Sequence, residues 1–200
     1  MSKVLIDLMR HGEPVGGRRY RGQTDDPLSE KGWRQMWDAA GDFQDWQHIV
    51  TSPLQRCAAF ADALGEKLGI GVTRDERLKE AAFGEWEGKT AAEICSEDAR
   101  RLLRFKQDPV GYAPEGAELL EDFYQRVGDA WQDILSVHRG RHVLVVGHAG
   151  MMRMVIAHAI GLSPEKCYRI NIENAALSRI QVEWSEGVML PTLLFHAGKL

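Results

Sequence analysis

The chain has 200 residues, 44% hydrophobic and 27% charged, which is enough to bury the core of one domain at the upper end of the usual size range. Its formal net charge of -4 counts against a general nucleic-acid or membrane-surface binder, since both reward a broad basic face, and leaves room for a local basic pocket. Cys57, Cys95 and Cys167 are odd in number with no Cys-x-x-Cys pair, and no apolar run approaches the roughly 20 residues of a membrane span, so a soluble cytoplasmic protein with reduced thiols is expected.

Strand-like and helix-like segments alternate along the chain, the pattern of an α/β fold with a largely parallel sheet. Val4 to Met9 reads as a first strand, and it delivers Arg10, His11 and Gly12 to its carboxyl end. Ser29 opens a helix whose Trp33, Met36, Trp37 and Ala40 share one face. His48 to Thr51 is a short second strand, and Pro53 suits the start of a helix carrying Leu54, Cys57, Ala58, Ala61, Leu64 and Leu68 until Gly69 stops it. Val72 and Thr73 form a brief strand. Thr90 to about Lys106 and Glu118 to His138 are expected to be helical, separated by the turn-rich segment 108–116. His142 to Val146 is the most hydrophobic β-branched run and reads as a central strand; Gly147, His148, Ala149 and Gly150 break it before a helix over Met151 to Ile160. Ala176 to Trp184 and Val188 to Phe195 look like a closing hairpin.

His11 and His148 hold equivalent places, each just after an apolar strand and next to glycine. Neighbouring strands in one sheet would set the two imidazoles side by side at the edge where ligands of α/β sheets bind. Arg56 follows the second strand toward the same edge. Two arginines and two histidines on one spot repel one another unless an anion is present, most simply a phosphoryl group held by guanidinium contacts. A proton donor is also needed, and the loop from Arg77 to Gly88 supplies Glu80, Glu85 and Glu87 among aromatics and glycines. Composition alone leaves the choice among the three glutamates open. Trp86, Tyr20 and Phe105 are candidates to stack on a heterocycle. His48, His138, His142, His158 and His196 match no motif and read as surface or structural residues.

The motifs Arg10-His11-Gly12-Glu13, Gly22-Gln23 with Asp26-Pro27-Leu28-Ser29-Glu30-Lys31-Gly32, Ser52-Pro53-Leu54-Gln55-Arg56, Leu78-Lys79-Glu80 with Phe83-Gly84-Glu85-Trp86-Glu87-Gly88, and Gly147-His148 occur in order. In that order the chain resembles the histidine phosphatase superfamily, in the branch of cofactor-dependent phosphoglycerate mutases and small-molecule phosphatases, along nearly its whole length. The resemblance implies a three-layer α/β/α sandwich with a mostly parallel central sheet, one domain over 1–200, and a helical insertion around 84–117 covering the site. It implies that His11 is a nucleophile that becomes phosphohistidine, that Arg10, Arg56 and His148 hold the transferring phosphoryl group, that Glu80 is the acid, and that Gln23 is a further phosphate contact. Neither metal nor cofactor is called for, because the cations would stabilise the phosphoryl charge.

Pro14 stands where many relatives carry threonine, and the short loop Val15-Gly16-Gly17-Arg18-Arg19-Tyr20-Arg21 lacks the asparagine that touches phosphate in them. This loop is similar to that of the α-ribazole phosphatase subgroup, which adds Arg21 to the expected substrate contacts and makes α-ribazole 5'-phosphate the leading substrate. The expected partner is thus a small phosphate monoester, with neither nucleic acid nor membrane, in a monomer or homodimer. Two alternatives stand beside a phosphomonoesterase. One is a phosphoglycerate mutase, disfavoured because mutases carry extra segments that exclude water. The other is a non-catalytic phosphate-binding module, disfavoured because a binder needs the cations without a nucleophile and an acid.

Overall fold

The computed structural model of the chain describes residues 2–200. A six-stranded mixed sheet is built from β1 (Ser2–Arg10), β2 (His48–Thr51), β3 (Val72–Arg74), β4 (His142–Gly147), β5 (Leu177–Ser185) and β6 (Val188–Gly198) in the spatial order β3-β2-β4-β1-β5-β6. The pairings from β3 to β1 are parallel, and β5 and β6 run antiparallel to their neighbours. The helices are α1 (Glu30–Ala40), α2 (Gln55–Leu68), α3 (Ala91–Ile94), α4 (Arg101–Gln107), α5 (Leu120–Val137) and α6 (Ala149–Ile160). Among the described residues, no helix is long and apolar enough to cross a membrane.

The layers follow from alternation along the strands. Val4, Ile6 and Leu8 of β1, with Val143 and Val145 of β4, pack under α5 and α6 against Val127, Trp131, Met152 and Val155. Met9, Leu144 and Val146 point the other way, to Met36 of α1 and Cys57, Phe60 and Leu64 of α2. The result is a sheet covered on both faces, a three-layer sandwich. Ser29 caps α1 by accepting from Gly32 N, as its position before the apolar face leads one to expect. The hairpin turn at Glu186 and Gly187 has φ of 52° and 81°, the left-handed pair that a two-residue turn between twisted strands requires.

Three local expectations are corrected. The helix expected over Thr90–Lys106 is two short helices, because Ser96 Oγ donates to Glu93 O at 2.8 Å and Asp98 Oδ1 accepts from Arg100 N at 3.0 Å. Those side chains offer the backbone an alternative to the helical ladder, and the chain turns there. The helix after Pro53 starts at Gln55, whose N–H donates to Asp25 Oδ1 at 2.7 Å, a cap supplied from a distant loop. Gly150 lies inside α6, which begins at Ala149 with His148 as its N-cap residue.

One buried polar cluster ties four segments together. Asp7, fully buried in β1, accepts from Arg179 Nε at 2.7 Å, Trp46 Nε1 at 2.8 Å and the imidazole of His142 at 2.9 Å. Burial raises the Asp7 carboxyl pKa, but the bonds from Arg179, His142 and Trp46 outweigh it and hold the group below its ordinary value. Truncating Asp7 leaves the Arg179 guanidinium and the Trp46 N–H without their acceptor. Asp7→Ala is expected to lose about 3–5 kcal/mol of unfolding free energy in denaturant titration. A loss under about 1 kcal/mol would show that the cluster is a bystander.

Candidate active site

The parallel register sets the site. Arg10 of β1 pairs with Gly147 of β4, and Thr51 of β2 pairs with Val146, so β1 and β4 end level, β2 ends one residue short of them, and the next residues, His11, His148 and Ser52, share one edge. His11 N donates to Gly147 O at 2.9 Å and Ser52 N to Val146 O at 3.0 Å, continuing the ladder past the strand ends. The imidazole centroids of His11 and His148 lie 5.3 Å apart, edge to face.

His11 Nδ1 is 2.7 Å from the carbonyl oxygen of Gly12. A carbonyl only accepts, so Nδ1 carries the proton and Nε2 of the neutral ring keeps its lone pair. Burial, then the charges of Arg10 and Arg56, hold the His11 pKa well below its ordinary value. His148 is fully buried, 2.7 Å from Ser52 Oγ through Nε2, and burial together with Arg56 and His11 pushes its pKa down in the same way.

The cations are oriented by backbone carbonyls rather than by carboxylates. Arg56, in the first turn of α2, donates to Thr24 O at 2.6 Å and Gly22 O at 2.7 Å. Arg56 is therefore a buried, carbonyl-braced guanidinium. Arg10 donates to Ile172 O at 2.8 Å, and its Nε is buried without a partner. Burial lowers the Arg10 pKa to about 10, which still leaves it charged near neutrality. A pair of guanidiniums with donors to spare near a neutral imidazole is suited to a tetrahedral oxyanion.

Of the three candidate glutamates, only Glu80 lines the cavity. Its Oε2 accepts from Gly150 N, in the first turn of α6, at 3.0 Å, and its Oε1 from Ala81 N at 3.1 Å. Gly150 is needed there, since a Cβ would run into the Glu80 carboxylate. Glu87 is spent on Gln23 N, Phe83 N and the Thr24 hydroxyl, and Glu85 pairs with Arg101.

Arg10, His11, Arg56 and Glu80 line a cavity of about 720 Å³, whereas His148 and Ser52 are fully buried and do not line it. Its inner end holds Arg10, His11, Arg56 and Glu80, and its outer walls include Arg18, Tyr20, Phe83 and Lys106. Gln23 is not among the residues lining this cavity; its side chain is exposed and donates to Glu80 O at 3.4 Å. One further expectation is corrected. Trp86 is buried with Ile94 and Phe105, edge-on to Tyr20, and offers no free face to a ligand, whereas Tyr20 and Phe105 line the cavity. Arg21 also lines it, paired with Asp26 at 2.7 Å and donating to Val15 O, so it braces the loop as well as facing inward. Ser52 and Arg153 belong to the site without having been assigned a role from sequence. Arg153 donates to Ile170 O at 2.9 Å and lies 5.2 Å over the Tyr168 ring, on the cavity wall.

Arg10, His11, Arg56 and Glu80 thus line one cavity, with the His11 imidazole under the charges of both arginines. The chain belongs to the histidine phosphatase superfamily (branch 1), whose family model matches residues 6–190. It is 34% identical to the bifunctional protein Rv2228c of Mycobacterium tuberculosis over 96% of the chain, which is 54% of that protein. The chain thus spans about half the length of the curated relatives it matches at this identity. Mycobacterial glucosyl-3-phosphoglycerate phosphatase Rv2419c, solved with VO3, superposes with a TM-score of 0.85 at 27% identity over 98% of both chains. The α-ribazole phosphatase of Shigella flexneri gives 0.78 at 25% identity over 97% of this chain and 96% of that one.

The depressed histidines couple stability to pH. Below about pH 6.5 the unfolded chain takes up protons at positions 11 and 148 that the folded chain refuses, so stability rises with pH and is lost as the pH falls through that window. Thermal midpoints of the wild type are expected to fall more steeply between about pH 7.5 and about pH 5.5 than those of His11→Asn, which removes one such group. Parallel curves would contradict the assignment of a depressed pKa to His11.

Proposed function

We propose that the protein is a metal-independent phosphomonoesterase working through a phosphohistidine on His11. The observation that carries this reading is the Nδ1 bond of His11 to Gly12 O, which leaves Nε2 as a nucleophile between Arg10 and Arg56. In the first half-reaction His11 Nε2 forms a bond to phosphorus as the ester P–O bond breaks. Glu80 gives its proton to the departing alkoxide. Arg10, Arg56 and His148 meet the charge spread over the phosphoryl oxygens, the part a divalent ion plays elsewhere. In the second half-reaction the Glu80 carboxylate takes a proton from water, which attacks phosphorus, and the P–N bond breaks to release orthophosphate and the neutral imidazole.

For the alcohol, α-ribazole 5'-phosphate is the leading candidate. The short loop Val15–Arg21 supports it, as do the aromatic rings of Tyr20, Phe83 and Phe105 on the cavity wall, which suit a heterocyclic nucleoside. The segment 84–117 serves as the cover over this end of the pocket, with Leu102, Phe105 and Lys106 turned to it.

A panel of α-ribazole 5'-phosphate, sugar phosphates, nucleotides, and 3-phosphoglycerate with its bisphosphate primer, assayed for orthophosphate in the presence of EDTA, tests the reading. Wild type is expected to turn over at least one monoester with EDTA present, with α-ribazole 5'-phosphate preferred, and His11→Ala to fall to the uncatalysed level. Turnover by His11→Ala would overturn the nucleophile. Activity confined to the mutase reaction would overturn the phosphatase assignment.

A further inference from the structure

Glu80 sits on a stretch between a 3-10 turn (Glu76–Leu78) and a second one (Gly84–Trp86), outside any strand ladder. Backbone carbonyls in such a stretch need partners from elsewhere. Here they come from one side chain on α5. Arg126 Nη1 donates to Arg77 O at 2.6 Å and Lys79 O at 2.9 Å, and its Nη2 donates to Glu80 O at 3.1 Å. The same guanidinium forks onto Glu118, Nε to Oε1 at 2.5 Å and Nη2 to Oε2 at 2.8 Å. Glu118 closes the frame from the other side of Glu80: its Oε2 accepts from Ala82 N at 3.3 Å and its own N–H donates to Ala82 O at 3.0 Å. The Arg126 guanidinium also lies 4.6 Å over the ring of Phe123, which fixes its plane.

We infer that Arg126 and Glu118 are positioning residues for the acid: they lock the backbone on both sides of Glu80 so that its carboxylate stays on Gly150 N, facing the phosphoryl pocket. The inference rests on the reading of Glu80 as general acid. Neither Arg126 nor Glu118 touches the reacting atoms by this account; they act through the carbonyls at 77, 79 and 80 and the N–H at 82. Lysine cannot replace Arg126, because a single ammonium lacks the planar fork that reaches three carbonyls and a carboxylate together. The frame also bears on the cover. Glu118 directly follows segment 84–117, whose ends meet where Phe83 bridges Ala117 and Glu85 N donates to Glu115 O at 3.0 Å. The acid and the cover therefore share one anchor.

A misplaced acid has a kinetic signature that a generally weakened fold lacks. An aryl ester such as p-nitrophenyl phosphate leaves as a stable phenolate and needs little protonation, whereas an aliphatic ester needs a proton on its alkoxide. For Arg126→Gln, kcat/KM is expected to fall about 100-fold on an aliphatic phosphomonoester and several times less on p-nitrophenyl phosphate, in parallel with Glu80→Gln. Arg126→Lys is expected to recover little of the aliphatic activity. If Arg126→Gln does not fold, Arg126→Lys is read in the same way. A leaving-group-dependent loss for Glu80→Gln beside an equal loss on both esters, or no loss, for the Arg126 variant overturns the inference alone. A flat response from Glu80→Gln overturns the acid role, and the inference with it.

Discussion

The charges of two guanidiniums, the half-buried Arg10 and the buried Arg56, acting on one buried imidazole are the constraint around which the site is organised. Burial, reinforced by the charges of Arg10 and Arg56, keeps His11 from accepting a proton, so the ring faces the cavity as a neutral base with a free lone pair. The same charges make the pocket hospitable to a phosphoryl group. In the proposed reaction, one electrostatic arrangement thus serves both nucleophile and ligand. It is sustained by carbonyls: Ile172 holds Arg10, and Thr24 with Gly22 holds Arg56, which orients each cation without neutralising it.

The fold delivers this arrangement through register and helix ends. The level ends of β1 and β4, with β2 one residue shorter, place His11, His148 and Ser52 within one edge, and covering both faces of the sheet keeps that edge rigid. Arg56 lies in the first turn of α2, where the helix dipole disfavours a cation. Its presence there is a local conflict accepted for the site, offset by two backbone acceptors. Glu80 is the converse case, a carboxylate resting on the amino-terminal turn of α6, where the dipole favours an anion.

Much of this was legible in the sequence because the determinants are local. Apolar, β-branched runs revealed the strands, Ser29 and Gly69 marked helix ends, and the motif order implied that Arg10, His11, Arg56, Glu80 and His148 act together. What escaped was set by long-range partners. Glu80 could not be separated from Glu85 and Glu87 by composition, since the distinction lies in Gly150 N, 70 positions away. The break between α3 and α4 depends on side-chain bonds of Ser96 and Asp98 that compete with the helix. Trp86 looked available because aromatic residues in a loop resemble a ligand wall, yet Ile94 and Phe105 enclose it. Asp7, in the middle of an apolar strand, gave no hint of Arg179, and Arg126 on α5 carried no motif at all.

The central claim is that His11 stays a neutral Nδ1–H tautomer among arginines. Long-range 15N–1H correlation spectra of the histidine side chains, assigned by loss of one spin system in His11→Asn, measure that state directly. At about pH 6, where an ordinary histidine is largely protonated, the His11 ring is predicted to show one protonated nitrogen, Nδ1, and one unprotonated nitrogen, Nε2. An imidazolium pattern at that pH, or a proton on Nε2 with Nδ1 bare, would contradict the account.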